Sequence, residues 1–588
     1  MLIQALADYA DTRLRDQMDD PAFERKPVAV ELQITNGGEF AGFVPLQQTV
    51  MRGKKAVIQA PEREVPRSPV NRNSGAHPLL AFDDAKYLFG PGPWTKQDQE
   101  GDHLTKHEAF VELVRVAAAA TSDPALQALT KFYDQTAEVA KARDLFDAKI
   151  TGGILCSILG EGPILDREAV KEYWRGHFDR RSATRNESGG IAMCMISGKV
   201  GPIAPTHDKI KGAAKLGGQA AGVAFMSFDK EAFRSYGWDK NENSPVSPER
   251  ARAYVLALND LMSGFQKSRV DHAGTGFLYW TRKPVPDDPI AIIENADPKE
   301  VRRVLEIREG ALSFSDPNDF YLMGVNGNGG RLVVRYWVRN SLEDVLRSVG
   351  AWFADLRMAD VFKNGEVADP PKFWQILKCL VRDGDPPADR AVNLLRRALH
   401  GEPLGRTILA SALQRLRVSK KAERLQPVRL GLIRMAVNDQ SRNDRTLKEG
   451  EHKMNETLDI ANDHPAYLCG RLLAVYDGLQ YAAQGEVGNT VADRYFSLAS
   501  TNPVVAFPKI VDLGQKHLRK LRRDNRGAAV AIEREVQQLL GGLSGSDARF
   551  PGQLSLENQG RFAIGFHHQR SESLMRAKDR KDKKVETV

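Results

Sequence analysis

Cysteine is scarce in this 588-residue chain: Cys156, Cys194, Cys379 and Cys469 are its four, far apart and each among apolar neighbours. No pair has the spacing of a zinc knuckle or a redox dithiol, so they read as buried free thiols of a reducing compartment. Long apolar runs are missing too, which excludes a bilayer-spanning helix. The start, MLIQALADYADTRLRD, has no basic segment ahead of an apolar one, and the chain reads as cytoplasmic and not exported. Catalytic signatures are also absent: there is no Gly-x-Ser-x-Gly elbow, no Walker loop, no HExxH and no His-Asp metal cluster. No catalytic constellation can be assembled, although groups distant in sequence can converge in a fold.

What is present is a chain that is 42% hydrophobic and long enough to bury more than one core. Its formal charge of +8 favours an acidic partner without naming one. The segment with most character runs from Gly189 to Met262. Two apolar runs, Ile191 to Ile196 and Ala221 to Phe228, read as core strands flanking a long loop that carries His207, Lys209, Lys211 and Lys215. Ser247-Pro248-Glu249 then starts a helix that buries Tyr254, Val255, Leu258 and Leu261 and stops at Gly264. A cationic loop held at both ends by rigid strands suits phosphate contacts.

Earlier in the chain, Val28 to Ile34 alternates Val28, Val30, Leu32 and Ile34 inward with Glu31 and Gln33 outward. Asn36-Gly37-Gly38 turns it into Phe40 to Val44, which predicts a hairpin. From Met51 to Gly75 the periodicity is lost, and prolines argue against a central strand or a continuous helix. Lys54, Lys55, Arg67 and Arg72 make this loop basic, while Asn71, Asn73 and Ser74 add side chains able to read base edges. A solvated surface loop and a nucleic-acid contact both fit that composition. His103 and His107, four apart before Glu108, could share a metal in a metal-dependent nuclease, yet no third ligand has usable spacing.

Further on, Phe320 to Arg331 is glycine-rich but leads into another alternating run, Leu332 to Trp337, so it reads as a hairpin tip and not a phosphate cradle. After Asn340 the pattern is helical to the end. The expected fold class is an α+β N-terminal region with mixed and antiparallel strands and inserted helices, followed by an all-α helical bundle. The expected domains are residues 1–345, a helical linker region 346–453, and a C-terminal bundle 454–588. In that bundle Lys516, Arg519, Lys520, Arg522 and Arg523 cluster on one helix, either as a solvated face or as a track for a single DNA strand.

The order of motifs carries a resemblance. It comprises Ser197-Gly198-Lys199, His207-Asp-Lys-Ile-Lys-Gly212, Ser235-Tyr-Gly237, Asn243-Ser-Pro-Val-Ser247 and Tyr254-x-x-Ala-Leu-Asn259. Leu80, Asp83 or Asp84, Tyr87 and Gly90 add to it, as do Pro465 to Ala474, Asp493 to Phe496, His517 to Leu521 and Gln559 to Gln569. Together these resemble the large subunit of the type I-C CRISPR surveillance complex, Cascade, over nearly the whole chain. The match departs at Asn73, where the family has a small hydroxyl residue.

The resemblance implies a non-catalytic subunit that needs no cofactor. It would recognise the protospacer-adjacent motif on double-stranded target DNA, help open the duplex, stabilise the R-loop and support recruitment of a helicase-nuclease. Phosphate anchoring would fall to Lys54, Lys55, Arg72, Lys209, Lys211 and Lys215, and base reading to Asn71 and Asn73, with Arg67, Ser74 and His207 completing the DNA-binding set. Implied partners are a crRNA-containing Cascade with backbone and crRNA-processing subunits, and a small subunit translated from an internal start. Lys448-Glu449-Gly450 can be encoded with a purine-rich ribosome-binding sequence, which points to Met454 as that start. The competing readings are the nuclease built on His103 and His107, and a purely structural helical scaffold.

Overall fold

The computed structural model describes residues 2–52, 55–70, 72, 75–150, 152–187, 190–264, 268–285, 288–312, 317–363, 365–384, 386–419, 425–443, 453–543 and 550–585. The chain forms two compact units. The first comprises Met1–Ala214, Gly218–Ser263 and Gly327–Leu332; the second comprises Lys215–Gly217, Gly264–Asn326 and Val333–Val588. Among the described residues no helix is long and apolar enough to cross a membrane. All four cysteines are buried and free.

The first unit opens with helices α1 (Leu2–Arg13) and α2 (Arg15–Asp19), followed by strands β1 (Phe23–Ile34), β2 (Phe40–Pro45), β3 (Gln48–Arg52), β4 (Lys55–Gln59), β5 (Glu62–Pro66) and β6 (Phe82–Asp83). Helices α3 (Ala85–Leu88), α4 (Glu100–Thr121), α5 (Pro124–Asp134) and α6 (Thr136–Leu145) lead into β7 (Gly153–Ile158), β8 (Gly162–Pro163) and α7 (Glu168–Glu187). The ribbon β9 (Ile191–Met193) and β10 (Val200–Pro202) and then helix α8 (Pro248–Ser263) complete it.

Its main sheet has the order β2-β1-β7-β6, with β5 pairing the start of β1 and β8 the end of β7. The β1–β2 hairpin forms as the Asn-Gly-Gly turn predicts, antiparallel with Leu32 opposite Phe43. On the other edge β1 pairs β7 in parallel, which makes it a central strand. That is why Glu31, expected to face outward, is buried, with Arg63 at 3.6 Å from its carboxylate. Phe110, Val114, Leu126, Leu129, Phe132, Val170 and Trp174 cover the sheet as one core. Trp174 Nε1 also donates to the Ala22 carbonyl at 2.9 Å, so its indole is buried without an orphaned donor. α8 matches expectation: the Arg250 N–H reaches Ser247 Oγ at 3.4 Å, and the helix stops at Gly264, whose φ is +68°.

Three local expectations need correction. Ile191 to Ile196 is not a core strand: β9 is three residues long and, among the described residues, pairs only with β10, and Ile191, Met193 and the following Met195 are exposed. Ala221 to Phe228 is not a strand either; it is held by single bridges from Val223 to Ile210 and from Ala224 to Arg331. The described residues between 51 and 75 are more regular than their prolines suggested, because β3 and β4 form a separate two-stranded ribbon and β5 sits where Pro66 ends the pairing.

The second unit begins with β11 (Arg269–His272) and β12 (Thr275–Thr281), helices α9 (Pro289–Asn295) and α10 (Pro298–Arg308), and strands β13 (Asp319–Asn328) and β14 (Arg331–Ser341). The four strands form one sheet in sequence order, and the glycine-rich run is indeed a hairpin turn. Helices α11 (Leu342–Leu356), α12 (Phe373–Lys378), α13 (Ala388–His400), α14 (Arg406–Val418), α15 (Pro427–Asn443), α16 (Pro465–Gln484), α17 (Val491–Ala499), α18 (Pro503–Asp524), α19 (Arg526–Leu543) and α20 (Leu556–Val585) follow. The architecture is thus mixed and antiparallel sheets with helices, then a helical region. One continuous apolar core runs from Phe277 and Phe320 of the sheet through Trp352 and Leu395 to Tyr467 and Phe562. Within it Arg397 of α13 is an internal brace, its Nε 2.8 Å from Asp439 of α15 and its Nη2 bonded to Asp355 of α11.

Candidate nucleic-acid interface

The basic loop after β5 and the loop carrying His207 are far apart in sequence, yet one ion pair joins them. Arg67 Nη2 lies 2.6 Å from Asp208 Oδ2. Next to Asp208, His207 Nδ1 bonds the hydroxyl of Tyr254 on α8, and burial pushes that hydroxyl's pKa up. Beyond Asp208, the backbone of Ile210 exchanges hydrogen bonds of 2.7 and 2.8 Å with Val223, and the Lys211 N–H donates to Asn259 of α8 at 2.8 Å. Ile210 is buried, Lys209 half-buried and Lys211 exposed, so the two ammonium groups flank an inward-facing isoleucine on a segment fixed to α8. This supplies the rigid support that the sequence reading had expected from two strands.

Arg72, the described residue of the asparagine-rich part of the loop, has a different setting. Its Nη2 lies 2.6 and 2.7 Å from the two oxygens of Asp83, and its guanidinium sits 4.6 Å above the Tyr87 ring. Asp83, at the end of β6, is 1% exposed and also accepts the backbone N–H groups of Leu79 and Asp84, each at 2.9 Å. Burial raises the Asp83 pKa to about 6, against the opposing pull of Arg72. Desolvation works against the charge on Arg72, and Asp83 and Tyr87 together more than offset it, holding Arg72 above its ordinary value.

Lys54, Asn71, Asn73 and Ser74 lie outside the described residues, as does the side chain of Lys55 at the start of β4. Lys215 is exposed on a short 3-10 turn and groups with the second unit, whereas Lys209 and Lys211 group with the first. On α18, Lys516, Arg519, Lys520, Arg522 and Arg523 are all exposed. Lys516 pairs with Asp512 at 2.8 Å and Arg522 with Glu533 at 2.5 Å, so part of that charge is locally neutralised. His103 and His107 go to separate partners: His103 Nδ1 is 2.8 Å from the Thr95 hydroxyl, and His107 Nδ1 is 2.9 Å from the Tyr87 carbonyl. Among the described residues no group of three or more His, Cys, Asp or Glu side chains could hold a metal ion.

Sequence reasoning missed the acidic and buried members of this region. Asp208 and Asp83 stand inside the ordered motifs, but nothing in the sequence says which cation each one meets, and Arg252 carries no signal that separates it from surface charges. A cavity of about 770 Å³ is lined by Arg67, Ser68, His207, Asp208 and Arg252 among others. Burial, reinforced by the charge of Arg67, lowers the Arg252 pKa to about 10, and its guanidinium donates to the carbonyls of Met18 and Asp20 at 3.3 and 3.1 Å. Close by in sequence, the β9–β10 ribbon presents apolar side chains to solvent, with Ile191 77% and Val200 73% exposed around the Ser197-Gly198-Lys199 turn.

A model of the family described as CRISPR-associated protein (Cas_Csd1) matches residues 6–574. The chain belongs to that family. It is therefore a type I-C large subunit of the CRISPR Cascade complex, as its ordered motifs implied. No curated protein matches it.

Proposed function

We propose that this Cascade large subunit binds double-stranded target DNA through the joined loops of its first unit and reads the protospacer-adjacent motif there. The observation that carries the reading is the Arg67–Asp208 bridge, which unites two basic loops on one support. In RNA-guided recognition the guide reads the long sequence and protein reads only a short duplex motif. Lys209 and Lys211 supply phosphate contacts, and Asn71, Asn73 and Ser74 supply base contacts. The exposed apolar ribbon at Ile191 and Val200 meets unstacked bases as the duplex opens, since apolar wedges ease strand separation. The α18 face guides a displaced strand and stabilises the R-loop, and the complex with its crRNA, backbone and processing subunits then recruits a helicase-nuclease. This subunit contributes binding energy and no bond cleavage.

Binding assays on the assembled complex test this reading. Lys211→Ala lowers the slope of log affinity against log salt by about one unit for every sequence, whereas Asn73→Ala costs roughly 1 to 3 kcal/mol on the preferred motif alone. Equal losses on all sequences for both variants would refute the base-reading assignment. Ile191→Ser with Val200→Ser slows strand opening, read by a fluorescent base analogue beside the motif, and leaves duplex capture intact. Cleavage of DNA by the isolated subunit with divalent ions, lost in His103→Ala, would replace this reading with the nuclease.

A further inference from the structure

We propose that Arg72 is a positioning residue that, with Asp83 and Tyr87, clamps the basic loop in place, and that it does not itself touch the DNA backbone. The inference rests on the reading of that loop as a DNA contact and assigns one of its charges a different task.

The geometry makes the case. Both carboxylate oxygens of Asp83 are within 2.7 Å of Arg72 Nη2, and the guanidinium lies over the Tyr87 ring. An arginine recruited to a phosphate would leave the Asp83 carboxylate buried with only the Leu79 and Asp84 N–H groups. A carboxylate stripped of its cation in a dry site costs more than a solvent-screened phosphate contact returns.

The same post also receives the returning chain. The Leu79 N–H donates to Asp83, and the His77 N–H donates to the Tyr87 hydroxyl at 3.3 Å. The loop is thus tied at residue 72 and again at residues 77–79 to side chains standing on β6 and α3. β6 is itself anchored, because Phe82 and Asp83 pair antiparallel with Leu155 and Ile154 of β7 in the sheet core. Asn71 and Asn73 are the covalent neighbours of Arg72. Lys211 differs: it is exposed and, among the described residues, makes no ion pair.

The test compares Arg72→Lys, Arg72→Ala, Asp83→Asn and the Arg72→Lys/Asp83→Asn double variant. Duplex binding by the assembled complex is titrated over a range of salt, with and without the preferred motif. A clamp predicts that Arg72→Lys and Asp83→Asn each lose about tenfold on the motif duplex and stay within about twofold elsewhere. The salt slope is unchanged, and the double variant is no worse than either single. Asp83→Asn discriminates most sharply, because deleting a negative charge and releasing Arg72 can only help a phosphate contact. Binding by Asp83→Asn as tight as wild type, with Arg72→Ala lowering the slope by about one unit on every sequence, would overturn the proposal. Hydrogen exchange on the DNA-free full chain is the second readout: amides of residues 75–80 exchange faster in both single variants. Unchanged exchange there overturns the clamp whatever the DNA result. Faster exchange in the variants, with a wild-type complex that binds all duplexes alike, overturns the DNA reading and leaves the clamp standing.

Discussion

His567 and His568 sit fully inside the second unit on α20, where burial works against their protonation. Burial lowers the His567 pKa to about 4, with the Ala359 carbonyl at 2.7 Å and Asp360 opposing the shift. His568 is held well below its ordinary value by burial and by the charges of His567, Arg434 and Arg471, and its Nδ1 bonds the Tyr467 hydroxyl at 3.0 Å. Both are neutral when folded and take up protons more readily when unfolded, so stability is retained above pH 6.5 and lost as pH falls towards 4. For His567 that loss is on the order of 3 kcal/mol. Asp83 has the opposite sign, since its raised pKa makes the folded chain bind a proton more readily as pH falls through about 6. Unfolding midpoints between pH 7 and pH 4 should therefore fall steeply in wild type and less steeply in His567→Gln. An equally steep fall in that variant would assign the acid lability elsewhere. None of this was legible in the sequence, where His567-His568 reads as two polar residues on a helix. Charge is visible in a sequence, but the partner that fixes its role is not: Arg67 meets Asp208 only through the fold.

At the scale of elements, legibility follows the strength of the local signal. The β1–β2 hairpin was readable because an Asn-Gly-Gly turn and alternating side chains agree. Helices also start at Pro124, Pro289 and Pro298, where the preceding Asp123, Asp288 and Asp297 each accept two backbone N–H groups. Residues 191–196 and 221–228 misled because a short apolar run does not say whether anything covers it. One is an exposed ribbon and the other is pinned by two bridges. Helix–helix distance is also hidden in sequence. α16 and α20 touch backbone to backbone: a Cβ on Gly470 would lie 2.0 Å from the Phe562 carbonyl oxygen, and one on Gly565 would lie 2.3 Å from that of Tyr467. Gly470→Ala and Gly565→Ala are each expected to destabilise the second unit by about 1 to 3 kcal/mol or more, since backbone cannot step aside as a side chain can. Calorimetric melting of the two variants measures this. Wild-type melting in both would mean the helices can separate without cost.

At the scale of the whole molecule, the proposed internal start at Met454 meets a continuous core. Met454 is 1% exposed, its N–H donates to Asn438 Oδ1 at 2.8 Å, and its carbonyl accepts from Asn438 Nδ2 at 3.0 Å and from Arg434 at 3.2 Å. A polypeptide beginning there keeps α16 to α20, whose mutual core includes Leu472, Phe496, Phe507 and Phe562. It loses α14 and α15, whose Leu409, Ile433 and Val437 lie against Gly560 of α20 in the full chain. We therefore expect residues 454–588, made alone, to be helical but to carry an uncovered apolar strip along α20, which it would bury against another Cascade subunit or a second copy. Met454→Leu separates the two products: a volume-conserving swap in a core costs under about 1.5 kcal/mol, so the full-length chain persists while the short product disappears. Expression of wild type and variant, followed by mass measurement of the purified complex, reads this directly. Only full-length chain in wild type, or a short product that survives Met454→Leu, would rule out the internal start.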